Sequence, residues 1–257
     1  MVRLGIVRSA AAAQLEVASR TDRGVHARAN ALAVTTTLPG PALLRALNGI
    51  SPEIFFSAAR SVPDGFSVRT ARSRWYRYYE PAAGHDLARW KAAAALFHGY
   101  FDVRSFGRDV PSEAPVWRKI DRVTVAAGLG VVRVDLRAPS FEWREVRKIV
   151  AALRAFDRGK VTLTELHDAV DGRRRLTLPV AEPEGLVLWE VRYDEPWKVR
   201  IHPADGPYPR AALAARESAR VRASVLAGLW PALPAKGAAT TSPSSRTRGS
   251  AQRADER

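Results

Sequence analysis

Residues 18–27 read Ala-Ser-Arg-Thr-Asp-Arg-Gly-Val-His-Ala, a polar stretch that sets a single acid, Asp22, between Arg20 and Arg23. Residues 15–18 read as a strand entering this turn and residues 31–37 as the strand leaving it, closed by Pro39 and Gly40. A carboxylate flanked by guanidinium groups is kept ionised, as a nucleophile or general base requires. The same residues also fit an ordinary Asp-x-Gly turn whose acid bonds to its own backbone. On the residues alone, both readings stand.

Outward from that turn, helix and strand signals mix. Pro41 opens a helix that runs through Asn48. Residues 54–59 and 74–80 read as strands, the second rich in aromatic side chains. Residues 86–98 carry a helix. Residues 120–126 and 131–136 flank Gly128-Leu129-Gly130 and form a β-hairpin. Ser140 suits the N-cap of a helix that places Phe141, Val146, Ile149, Val150 and Leu153 on one apolar stripe. A helix over 163–170 and a strand over 186–191 follow. This order predicts an α+β fold, a mostly antiparallel mixed sheet with helices on one face. Residues 211–231 are Ala- and Arg-rich and helix-compatible, and residues 232–257 hold so few apolar groups that a disordered basic tail is expected.

The chain has 257 residues, 46% hydrophobic and 26% charged, an ordinary globular composition that argues against wholesale disorder or a fibrous fold. No apolar run reaches membrane-spanning length and the N-terminus lacks a signal-peptide pattern, so a soluble cytoplasmic protein without membrane contact is expected. The absence of cysteine removes disulfides, thiolate nucleophiles and Cys-held metals. His26, His85, His98, His167 and His202 are scattered without ligand spacing, so no metal is expected. Neither a Gly-rich phosphate loop nor a serine nucleophile elbow is present, which leaves nucleotide cofactors and serine catalysis unsupported.

Charge gives the positive clue. Lys and Arg number 41 against 26 Asp and Glu, a net +15. The excess is not confined to the C-terminal segment: residues 211–257 hold eight basic and three acidic residues, which leaves +10 for residues 1–210. A polyanionic partner is the natural inference, although an Arg-rich composition also arises in GC-rich genomes.

Taken together, Arg20-Thr21-Asp22-Arg23-Gly24-Val25-His26-Ala27 resembles the R-T-D-x-G-V-H-A signature of the TruA-type tRNA pseudouridine synthases. Phe66-Ser67-Val68-Arg69 followed by Arg74-Trp75-Tyr76-Arg77-Tyr78 is similar to that family's F-x-x-R element and Y-R-Y strand, with a spacer one residue short. Residues 96–106 resemble its F-x-G…D-F-x-S-F element. Residues 140–150 resemble its helix S-F-L-x-H-M-V-R-x-I-V, and residues 181–188 its A-P-P-x-G-L-x-L.

The resemblance implies the pseudouridine synthase fold, with two similar αβ halves forming a basic RNA-binding cleft. The first half would cover residues 1–80 and carry the Asp22 loop; the second would cover residues 81–210. It implies a cofactor-free isomerase that converts uridine to pseudouridine in the anticodon stem-loop of tRNA, around positions 38–40, and works as a homodimer. By the same resemblance, Asp22 starts the reaction, by attack at C1′ or by removing a ribose proton. Arg147 pairs with Asp22, and Tyr76 lies against the target base and helps remove its C5 proton. Arg20 fills the space the base leaves, with Thr21, Arg23, His26, Arg69, Arg74 and Leu186 as further RNA- or base-contacting positions.

Departures from the pattern are Ser19 in place of Gly and Arg144-Glu145 in place of H-M, the second placing an acid near the site or on the exposed side of the helix. The family's first strand, Y-x-G-x-x-F-x-G-x-Q, and its following helix have no counterpart before Asp22, and residues 5–7 look like that helix's end. A start codon placed too late and a true fragment are both open, and the intact motifs downstream favour the first. A truncated paralogue that binds structured RNA with weak or no turnover is the competing expectation.

Overall fold

In the computed structural model, which describes residues 9, 11–51, 54–110, 112–197, 199–200, 214, 216–221 and 225, the aromatic strand expected over 74–80 becomes the centre of a five-stranded sheet. It is β5, Ser73–Pro81. Antiparallel to it on one side lies β9, Val131–Ala138, paired in turn with β8, Arg122–Gly128. On the other side lies β10, Leu186–Arg192, which also pairs parallel with β2, His26–Ala27. The order β2-β10-β5-β9-β8 thus ties the segment after Asp22 to the last long strand of the sheet.

Alternation along β5 splits its side chains between two environments. Arg74, Tyr76, Tyr78 and Glu80 are buried on one face. Against that face pack α2, Leu87–Ala95, and α3, Glu145–Asp157, whose Trp90, Ala94, Ile149 and Leu153 share one core with Tyr76, Tyr78, Val134, Leu136 and Leu188. Each large side chain so buried contributes about 1.5–3 kcal/mol relative to exposure. Asp86 caps α2 by accepting from Ala88 N at 2.8 Å and Arg89 N at 3.2 Å. Another helix, α4, Leu163–Val170, starts in a capping box in which Thr162 and Glu165 satisfy each other's backbone N–H.

On the opposite face, guanidinium groups stack on indoles across the strands. Arg77 lies 3.8 Å from the Trp189 ring and 5.1 Å from the Trp75 ring, Arg137 lies 4.9 Å from Trp75, and Arg28 4.6 Å from Trp189. Arg77 also ion-pairs with Asp135 at 2.7 Å.

Shorter pieces complete the description. β1, Glu16–Val17, pairs with β3, Leu32–Ala33; β4, Ala58–Ala59, pairs with β11, Val199–Arg200; β6, Gly99–Asp102, pairs with β7, Trp117–Ile120. Helix α1, Gly40–Ile50, turns Leu47 onto a small cluster with Ala13, Val34, Leu38 and Phe56. Contacts divide the chain into one unit of residues 1–51 and 56–201 and another of residues 52–55 and 202–257.

The α+β class stands as expected, and several local boundaries differ. Ser140 is not the N-cap of the helix after it. Residues 140–142 are irregular, Trp143 and Arg144 form a turn with Arg144 in the left-handed region at φ 62°, and α3 starts at Glu145. Glu145 itself supplies the side-chain bond there, its carboxyl group accepting from Glu142 N at 2.6 Å. The strand expected over 54–59 shrinks to Ala58–Ala59. The β6–β7 pair was not expected, apart from Ile120, which the expected strand over 120–126 includes. Residues 216–221 are helical, while the rest of the 211–231 segment (apart from Ala214 and Val225), the tail at 232–257 and the expected helix end at 5–7 lie outside the described residues. Among the described residues no helix is long and apolar enough to cross a membrane.

Candidate active site

The turn that carries Asp22 is held at both ends by two main-chain bonds and one from a side chain. Ala18 N donates to Ala31 O at 2.9 Å, Arg28 N to Leu188 O at 2.8 Å, and Asn30 Nδ2 to Ser19 O at 2.8 Å. Inside it, Val25 N closes a turn on Asp22 O at 3.0 Å. Gly24 sits at φ +89°, and a Cβ there would lie 2.9 Å from the Pro183 ring, so geometry and space both require glycine. Asp22 is thereby pressed toward the N-terminal end of α3.

Arg147, in the first turn of α3, reaches the acid: its guanidinium donates to Asp22 Oδ2 at 2.6 Å, while its Nε donates to Ala181 O at 2.6 Å. The Trp143 indole N–H donates to Asp22 Oδ1 at 2.9 Å, and Arg144 Nε stands 3.8 Å from Oδ2. Burial resists ionisation of Asp22, but the bonds from Trp143 and Arg147 and the charges of Arg147 and Arg144 outweigh it and hold the carboxyl below its usual range. Asp22 is therefore a carboxylate at neutral pH, one quarter exposed at its side chain.

Above it opens a cleft of about 570 Å³. Tyr76 forms one wall, buried and edge-on to Phe141 with ring centroids 5.2 Å apart. Burial pushes its phenol above the ordinary value against the opposing effects of Ser19 and Arg74. Leu186 lines the same cleft. It is placed by Gly185, where a Cβ would stand 2.6 Å from Tyr79 O and 2.7 Å from the Tyr78 ring. Only a residue without a side chain lets the segment before β10 approach β5 so closely.

Of the positions singled out in the sequence, Arg20, Thr21, Asp22, Arg69, Arg74, Tyr76, Arg147 and Leu186 line this cleft together. Arg23 and His26 do not; both are exposed, His26 on the two-residue strand β2. Arg74 lines the cleft but is turned inward, donating to the carbonyls of Ala18, Arg69 and Pro139 and to Ser19 Oγ. Its donors are engaged in joining three segments of the wall. Arg69 pairs with Glu16 at 3.2 Å and remains largely exposed; Arg20 is exposed and makes no ion pair with a described residue. Glu145 is not on the exposed side of its helix: it is 1% exposed. Trp143 was missed. It occupies an unspecified place in the helix motif, and only the turn at Arg144 aims its N–H at the acid. Among the described residues no group of three or more His, Asp or Glu side chains is placed to hold a metal.

A family model described as tRNA pseudouridine synthase matches residues 93–194. Over 193 residues the chain is 35% identical to the tRNA pseudouridine synthase A of Thermococcus sibiricus, covering 75% of this chain and 72% of that relative. The chain belongs to the tRNA pseudouridine synthase family. It is likewise 35% identical over 193 residues to the protein of that name from Thermococcus kodakarensis, covering 74% and 72%. With the one from Pyrococcus horikoshii it shares 36% over 186 residues, covering 70% and 69%. Arg147 and Leu186 fall inside the stretch matched by the family model, whereas Asp22 and Tyr76 precede it. The 193-residue matches to the Thermococcus relatives are longer than residues 93–257 and so extend upstream of the stretch matched by the family model.

Proposed function

We propose that this chain isomerises uridine to pseudouridine in tRNA, with Asp22 as the group that starts the reaction. The observation that carries the reading is the Asp22 carboxylate, ion-paired with Arg147 at 2.6 Å and opening into a basic cleft beside Tyr76. The reaction breaks the N1–C1′ bond of uridine and forms a C5–C1′ bond; C5 gives up a proton and N1 gains one. Product and substrate are isomers, so no redox partner is required. Attack of Asp22 on C1′ and removal of a ribose proton by Asp22 both require the ionised acid, the state that Arg147 and Trp143 favour.

The uridine must leave its stack to reach the acid, at a cost of a few kcal/mol, and stacking on an aromatic wall returns roughly 1–3 kcal/mol of it. Tyr76 suits that wall. Its raised pKa makes it a poor standing base, so its contribution to C5 proton removal is secondary in this reading. Leu186 would face the base, the exposed Arg20 would fill the space the base leaves, and the exposed Arg69 would meet the RNA. Uridines of the anticodon stem-loop, around positions 38–40, are the proposed targets. Homodimeric assembly and a cytoplasmic location complete the proposal.

The test is tritium release from tRNA labelled at C5 of uridine, with mapping of the modified positions. Wild type should release tritium; Asp22→Asn should lower the rate by at least about 10³-fold while tRNA affinity stays within about 2-fold, because removing an acid from a basic cleft does not weaken attraction to phosphate. Turnover by Asp22→Asn at the wild-type rate would defeat the proposal.

A further inference from the structure

Each oxygen of Asp22 has its own donor. Oδ2 is held by the Arg147 guanidinium and Oδ1 by the Trp143 indole N–H. The torsion that turns a carboxylate about its Cβ–Cγ bond is soft, and one partner leaves the plane of the group free to swing. A second, directional donor on the other oxygen fixes that plane. Indole has a single N–H and no acceptor, so its bond serves the ionised acid best.

The turn that presents Trp143 is built in a specific way. Arg144 takes the left-handed conformation at φ 62°. The buried Glu145 carboxyl group accepts from Glu142 N at 2.6 Å, and Arg108 N donates to Trp143 O at 2.8 Å. The guanidinium groups of Arg108 and Arg144 stand 4.3 Å and 4.9 Å from the indole centroid. The ring is 52% exposed, so burial of apolar surface does not account for its placement. Its one polar atom points at the acid instead of at solvent.

We propose that Trp143 is a positioning residue for Asp22, orienting the carboxylate in its cleft and keeping it ionised together with Arg147. This rests on the reading of Asp22 as the group that starts the reaction. The other charged or titratable groups facing Asp22 are Arg144, at 3.8 Å, and the Tyr76 phenol. Trp143→Phe keeps an aromatic ring for Arg108 and Arg144 to stack on and removes only the N–H.

The experiment is single-turnover tritium release at saturating tRNA across pH, with tRNA affinity measured alongside. Loss of a hydrogen bond to a charged group predicts a rate roughly 10- to 100-fold lower for Trp143→Phe. Affinity should change by less than about 2-fold, and the acid limb of the profile should move to higher pH, because Asp22 loses a bond that favours its charged form. Trp143→His, which retains a ring N–H, should recover part of the rate above neutral pH. An unchanged rate and acid limb, or a loss confined to affinity, would overturn the proposal. Asp22→Asn run in parallel separates the two readings. If it is inactive while Trp143→Phe behaves as wild type, only the role of Trp143 fails; if it is active, the reading of Asp22 itself has failed.

Discussion

Glu145 is the residue whose chemistry departs furthest from its surroundings. Burial pushes its carboxyl up to about 8; the nearby Glu142 charge adds to this, and the bond from Glu142 N opposes it. The folded state therefore keeps a proton on Glu145 over a range in which the unfolded chain, near 4.5, has lost it. Native protein then binds more protons than unfolded protein between about pH 4.5 and 8, and stability contributed at this site falls as pH rises through that window. Glu145→Gln removes the titration while keeping an acceptor for Glu142 N. Urea unfolding of both proteins at pH 5 and pH 8.5 should show the variant gaining stability relative to wild type at the higher pH, and an equal difference at both would show that Glu145 is ionised in the fold. Legibility at this scale followed directionality. Asp22 and Arg147 were readable because a motif names both ends of the pair. Trp143 and the burial of Glu145 depend on one left-handed residue, Arg144, which no periodicity announces.

At the scale of elements, β5 shows what local pattern can and cannot foretell. Its aromatic run announced a strand, and the helix expected over 163–170 stands at those boundaries, held by the Thr162/Glu165 box. The start of α3 was not legible, because the expected cap at Ser140 lost to a side-chain bond made three residues apart by Glu145. Nor does the pattern of β5 reveal that its other face would be organised around a buried charge. Arg77 is 8% exposed, lies 3.8 Å from the Trp189 ring and pairs with Asp135, which also accepts from the Trp75 indole at 2.7 Å and stands 3.0 Å from Arg133. Truncating one partner of such a pair leaves the other charge under-compensated in a place of low polarity. Arg77→Ala should therefore cost about 2–4 kcal/mol in urea unfolding. Adding Asp135→Ala should cost less than the sum of the two single changes, since the pair disappears together. Strict additivity would mean that Arg77 acts through its stacking on Trp75 and Trp189 alone.

For the whole molecule, charge and topology divide the work. The sheet order draws β2 beside β10 and so carries the Asp22 turn to a helix more than a hundred residues further along the chain. Single-segment patterns do not encode that pairing, which is why the site was legible as separate motifs and its assembly only by resemblance. The basic excess, in contrast, was legible at once and makes a prediction independent of the chemistry at Asp22. Binding that releases counterions from RNA weakens with salt, with a log–log slope of about −0.7 to −0.9 per phosphate neutralised. Residues 232–257 carry five basic and two acidic side chains. Deleting them should make the slope for tRNA shallower by at most roughly 3.5–4.5 units and leave the turnover rate at saturating tRNA unchanged, because every residue that lines the cleft precedes residue 187. The measurement is tRNA affinity between about 50 and 200 mM salt, paired with tritium release at saturation for both lengths. A shallower slope with equal turnover assigns the tail to grip alone, whereas lost turnover at saturating tRNA would place part of the catalytic apparatus beyond the cleft described here.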